Sequence, residues 1–266
     1  MLFFEGRDMS RTRAVVLHFS ISLMLTVAVA LLVFLIWFPA NLRELAGGQH
    51  LFLTIVGVDL VCGPLLTWLL FKTTKTRLAL CIDLTLIAVI QLVALGYGLY
   101  SLACARPLAF VFEVDRFRLV SYADVPAADL SHLPDWARPW GLGSPRTVGL
   151  RTPVSSEERI ESFDAALQGI EISQRPQRWQ DYRLNSDAVR SRSQSIAALR
   201  FARADKAAVI ERALREAISN RQEGETADPS ALLWIPLVSR STLDWVAILD
   251  PSTLRIRAYA PVDGFL

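Results

Sequence analysis

Cysteine, histidine and lysine occur three times each in 266 residues, and where they fall excludes several chemistries. Cys62, Cys81 and Cys104 lie in or beside apolar runs, so the C-terminal half has no disulfide and no thiolate metal site. His132 is the sole histidine of that half, within Asp129-Leu130-Ser131-His132-Leu133-Pro134. No nucleophile elbow surrounds it, and it reads as a turn or surface residue rather than a triad base. Without a His/Cys cluster, and with carboxylates interleaved with arginines, neither metal nor cofactor is expected. P-loop and dinucleotide fingerprints are also missing. An excess of one charge is lacking too: residues 105–266 hold 21 basic and 21 acidic side chains, so nothing drives nucleic-acid binding.

What the chain does have is apolar surface. Hydrophobic residues make up 52% and mean hydropathy is +0.34, which indicates a membrane protein. Charge is divided unevenly, with 12 charged side chains in residues 1–104 against 42 in 105–266. Three apolar stretches, 14–38, 51–71 and 78–102, each reach the roughly 20 residues needed to span a bilayer. The first is too long for a signal peptide's apolar core and has no small-residue cleavage site before Trp37-Phe38-Pro39. Arg7, Arg11 and Arg13 precede span one, and Lys72, Lys75 and Arg77 join spans two and three, whereas the intervening loop carries only Arg43. This bias predicts a cytoplasmic tail over 1–13, a three-helix anchor over 14–104 and an extracytoplasmic, periplasmic domain over 105–266.

Ionisable groups inside spans are functional candidates by default. Counting a rise of ~1.5 Å per residue from the cytoplasmic ends puts His18 and Asp83 at ~6 to 8 Å depth, and Asp59, Gln91 and Thr26 at ~18 to 20 Å. Pairing by depth predicts His18 with Asp83, and Asp59 satisfied by Gln91 or Thr26. An aspartyl dyad of Asp59 and Asp83 is the sharper alternative, and the ~10 Å depth mismatch speaks against it. Gly63-Pro64 reads as a kink beside Asp59, and Gly96 and Gly98 as sites of close helix approach.

An ordered series of phrases spans residues 14–125: Trp37-Phe38-Pro39, Gly47-Gly48, Val58-Asp59, Gly63-Pro64-Leu65-Leu66-Thr67, Lys75-Thr76-Arg77-Leu78, Ile82-Asp83-Leu84, Gln91, Ala94-Leu95-Gly96-Tyr97-Gly98, Arg106-Pro107 and Asp115-Arg116-Phe117. The series resembles the type IV pilin accessory protein family, the TfpX/TfpZ group. The resemblance implies a bacterial inner-membrane protein that assists stability, assembly or surface display of the major type IV pilin. It implies no active site. Helix-packing or partner contacts are therefore expected of His18, Thr26, Asp59, Gly63, Pro64, Asp83, Gln91 and Arg106, with the pilin, other pilus assembly proteins and membrane lipid as partners. The competing reading is a membrane enzyme acting on pilin or its glycan through the intramembrane Asp residues.

The rest reads as an α+β domain. Alternation over 108–114 flips phase at Asp115-Arg116, predicting a hairpin. The Pro- and Gly-rich stretch 126–153 predicts an ordered loop with buried Trp136 and Trp140. Ser155 with Glu158 forms a capping box for a helix over 156–172, with Ile160, Phe163, Leu167 and Ile170 at helical spacing. A weaker helix is expected over 188–203 and a strongly one-sided one over Val209, Ile210, Ala213, Leu214, Ala217 and Ile218. Strands follow over 232–237, 245–249 and 254–260, the last two joined at Asp250-Pro251.

Overall fold

The computed structural model describes residues 10–39, 42–72 and 74–265. Arg7 lies outside them, as do residues 1–9 of the expected tail. Helix α1 (Arg11–Leu32) is started by the Ser10 hydroxyl, which accepts from the Arg13 amide, and runs into a π-helical turn at Val33–Trp37. A short α2 (Leu42–Leu45) precedes α3 (Gly48–Leu70), and α4 (Arg77–Ala105) begins at a Thr76 cap. Among the described residues three segments are long and apolar enough to cross a membrane: Arg11–Trp37, Gly48–Leu70 and Leu78–Ala105. They match the expected spans to within three residues at each end. Helix α3 is central, packing against α1 on one side and α4 on the other. Gly98 allows that approach, since a Cβ there would lie 2.5 Å from Ile55, whereas among the described residues nothing lies within 4 Å of a Cβ built on Gly96, which does not serve the contact expected of it.

After α4 the backbone turns directly into β1 (Pro107–Glu113), which pairs antiparallel with β2 (Arg116–Ser121). This is the hairpin that the phase flip predicts. β3 (Arg146–Leu150) pairs parallel to β1, and β4 (Trp179–Asp181) closes that edge. On the other side β6 (Leu233–Val238) runs parallel to β2, followed by antiparallel β7 (Trp245–Leu249) and β8 (Ile256–Ala260). The expected helix over 188–203 is two helices, α6 (Ser186–Arg192) and α7 (Ile196–Ala202). The break is β5 (Gln194–Ser195), whose backbone pairs with β6 instead of continuing the helix. Helix α8 (Ala207–Ser219) docks Ile210, Ala213, Leu214 and Ala217 against Trp234, Val246, Ile248 and Ala258. Helix α5 (Ser156–Leu167) is shorter than expected and buries none of its side chains. Its Ser155 cap holds, but the Glu158 carboxylate accepts from the Val154 amide rather than closing the box on Ser155.

The anchor and the outer domain are built into one another. Leu42 and Leu45, on the loop joining spans one and two, are buried in the same cluster as Phe110, Phe117, Leu119, Leu237 and Trp245. The Ser239 hydroxyl donates to the Leu45 carbonyl. Gly47, at φ 69°, leaves no space for a Cβ against Ser241. Burying two leucines contributes roughly 3 to 6 kcal/mol, so the domain is held on its helices rather than swinging from a tether.

Beneath β8 lies a buried ionic cluster. Arg257, wholly buried, donates Nε to Ala217 O and Nη1 to Thr226 O and Asp250 Oδ2. Glu225 accepts from both Nε and Nη2 of Arg255, at 2.7 and 2.6 Å, which brings its carboxyl down to about 2. For Asp250, burial pushes the carboxyl up, but bonds from the Ser252 hydroxyl and the amides of Thr253, Ser252 and Thr226 outweigh it and hold it below the carboxylate range. Both groups are depressed in the folded state, so their stabilisation is present above an unfolded carboxyl value of about 4 and is lost as pH falls towards 2. Thermal unfolding of the purified chain is expected to be level from pH 7 to about 5 and to drop steeply below about 4. A melting temperature unchanged down to pH 2.5 would contradict this reading of the cluster.

Candidate functional site

Asp59, Gly63 and Thr67 recur every fourth residue and so lie along one face of α3. Gln91 of α4 meets that face at its middle, opposite Gly63: a Cβ on Gly63 would come within 2.0 Å of Gln91 Nε2. From there Nε2 donates upward to the Asp59 carbonyl at 3.2 Å and to its carboxylate at 3.3 Å. Downward, Gln91 Oε1 accepts from His18 Nε2 at 2.5 Å, and His18 Nδ1 meets the Thr67 hydroxyl at 2.6 Å. An amide oxygen only accepts, so the His18 Nε2 that meets it carries a proton. The result is a polar chain, Thr67–His18–Gln91–Asp59, tying all three spans together. Among the described residues the second Asp59 oxygen receives no hydrogen bond, leaving acceptor capacity in a lipid environment where such capacity is costly.

The expected pairing of His18 with Asp83 does not form. Asp83 instead takes the Lys75 ammonium at 2.5 Å, near the N-terminal end of α4. Equal depth along the sequence does not mark partners here, because the helices do not start flush. Gln91 is 14 residues into α4 yet level with Gly63, seven residues from the end of α3, so α4 starts ~10 Å below α3's end. Asp59 does pair with Gln91, as expected, while Thr26 is not a member of the chain. Nor do Asp59 and Asp83 form a dyad: Asp83 is eight residues, ~12 Å, along α4 from the Gln91 that holds Asp59. Pro64 lies inside α3 next to Gly63. Thr67 closes one of the phrases that carry the resemblance, but nothing in the sequence marks it as the partner of His18, since a threonine in an apolar run is unremarkable.

This chain floors a groove. Helices α1 and α4 flank α3 without closing over it, leaving a cavity of about 310 Å³. Leu17, Ile21 and Leu25 form one wall, Leu84, Ala88, Leu92 and Leu95 the other, with His18, Asp59, Thr67 and Gln91 beneath. Such an arrangement offers an apolar side chain packing and a polar one a hydrogen bond. Gly63→Ala is expected to displace the Gln91 amide and lower the thermal stability of the detergent-solubilised protein by about 1 to 2 kcal/mol. An unshifted melting curve would show that the contact contributes nothing.

At the outer end, Arg106 is buried and clamps a loop rather than facing a partner. Its guanidinium donates to the carbonyls of Arg138, Pro139 and Gly143, each at 2.9 Å. That loop carries Trp140 over Trp37 and Tyr100 at the mouth of the anchor. Trp140 is therefore exposed where the anchor meets the domain, not buried as expected, while Trp136 stacks on Trp179 in the domain. His132 is exposed in a helical turn, as expected.

Comparison with known proteins gives this architecture a context. A family model described as "Fimbrial assembly protein FimB" matches residues 7–47. The fimbrial assembly protein of serogroup E1 from Dichelobacter nodosus is 33% identical over 251 residues, covering 94% of each chain, and that of serogroup I matches to the same extent. The protein of serogroups C1 and C2 is 41% identical over 109 residues, covering 41% of this chain and 83% of that one. No solved structure matches. Identity spread over nearly the whole length, anchor and outer domain together, bears out the resemblance to the type IV pilus accessory group, and the chain belongs to the fimbrial assembly protein family.

Proposed function

We propose that this protein is a non-enzymatic accessory factor of type IV pilus assembly in the bacterial inner membrane, contacting the major pilin before it enters the fibre. Its N-terminus faces the cytoplasm and its C-terminal domain the periplasm, as the basic residues Arg11, Arg13, Lys72 and Lys75 at one end of the anchor favour. The observation that carries the reading is the groove with its polar floor, fixed beneath an outer domain that shares a core with the anchor's own loop. A subunit with an apolar helix in the membrane and a globular part outside meets both halves of this protein at once. The anchor receives the helix, its spare Asp59 acceptor taking a donor from it, while the domain stands beside the globular part. Two linked contacts raise the effective affinity without either being tight.

Deleting the gene and restoring it on a plasmid tests this. Surface fibres are expected to be lost or greatly reduced, with the pilin pool in the membrane destabilised and its intact mass unchanged. Normal piliation would reject the proposal, and a change in pilin mass would point to an enzyme.

A further inference from the structure

Helix α5 is turned inside out. Its polar side faces the domain: Glu158 binds Arg151 at 2.6 and 3.1 Å and Arg178 at 2.6 Å, the Ser162 hydroxyl takes Arg178 at 2.7 Å, and Glu161 takes Arg175 at 2.5 Å. Its apolar stripe points outward, with Ile160, Phe163 and Leu167 at 62%, 64% and 73% exposure and Val154 before the helix at 82%. A surface helix ordinarily buries such a stripe. Here the ion pairs fix the helix with the stripe presented to the surroundings.

Three observations say what covers it. First, the lipid surface does not fit. Val154 follows β3, which runs parallel to β1 away from the anchor, and beyond α5 Glu171 and Ser173 meet Arg118 and Glu113 towards the far end of the β1–β2 hairpin. Both flanks of the helix thus lie at the end of the sheet remote from the anchor, whereas an interfacial helix lies in the bilayer surface. Second, four such side chains expose several hundred Å², short of the ~800 Å² per partner of a stable interface. That area suits a short-lived contact rather than a permanent dimer. Third, the stripe is bordered by Glu157 and Asp164 on one flank and by Arg159 alone on the other, which favours a basic partner.

We infer that the outer face of α5 docks, transiently, a protein on the same side of the membrane that presents an apolar ridge bordered by Lys or Arg. The experiment places a benzophenone amino acid at position 163 of the full-length chain in fimbriated cells and maps the cross-linked segment by mass spectrometry. The expected result is a protein adduct at an apolar segment containing Lys or Arg. Its yield should fall at least threefold in Glu157→Arg/Asp164→Arg and be kept or raised in Arg159→Glu. The opposite signs distinguish lost docking from a misfolded helix. An adduct with lipid, with a second copy, or with a segment lacking basic residues overturns the inference, as does no adduct or a yield indifferent to these charges.

Discussion

Asp59→Leu is expected to reduce surface piliation about tenfold while the chain remains inserted and its outer domain folded. Leucine fills the space of aspartate without a buried charge, so the anchor loses only a 3.3 Å side-chain bond from Gln91, which retains the Asp59 backbone carbonyl at 3.2 Å. A partner helix loses its hydrogen-bond acceptor in the groove, and such a bond between helices in a membrane contributes about 1 to 2 kcal/mol. That corresponds to roughly a tenfold change in an association constant. Asp59→Asn keeps an acceptor of the same shape and is expected to retain most piliation. Fibre counts by electron microscopy, set against immunoblots of this protein, separate the outcomes. Equal piliation in wild type and Asp59→Leu would remove Asp59 from the mechanism, and loss of the protein itself would assign it to folding.

The largest effect on stability is expected at Arg257. Replacing it with methionine leaves Asp250 fully buried beside Glu225 with its guanidinium partner gone, and breaking one half of a buried ion pair typically costs about 3 to 5 kcal/mol. In a domain of this size each kcal/mol lowers the melting temperature by roughly 2 to 4 °C, so a drop of about 10 °C is expected. Adding Asp250→Asn removes the stranded charge while keeping an acceptor for the amides of Ser252 and Thr253. The double variant is therefore expected to be more stable than the sum of the single changes, by about 0.5 to 3 kcal/mol. Strict additivity in thermal melts would show that Arg257 acts by packing alone.

Much of the architecture was legible because the relevant signals are one-dimensional. Twenty apolar residues in a row measure a bilayer, a phase flip at Asp115-Arg116 marks a hairpin, and the stripe from Val209 to Ile218 both forms a helix and says which face it buries. The polar residues of the anchor were legible as a set but not as pairs. Sequence depth fixes neither the offset between helices nor their rotation, so it points His18 to Asp83, whereas Gln91, opposite Gly63, brings it to Asp59's chain. α5 shows a further limit: the period of Ile160, Phe163 and Leu167 announces a helix, yet its orientation is set by Arg151, Arg175 and Arg178, which are distant in sequence or in other elements. The insertion of Leu42 and Leu45 into the domain's core left no trace either, because four residues carry no periodicity.

The central claim is that the groove receives the pilin's membrane helix, and a photo-cross-linker at Ala88, on the groove wall, tests it most directly. Met24, on α1 with 70% exposure and outside the groove, serves as the comparison position. The account predicts that Ala88 captures full-length pilin through its apolar segment, that Met24 captures mainly lipid, and that Asp59→Leu weakens the Ala88 product. Capture of pilin equally from both positions, or from neither, would contradict it.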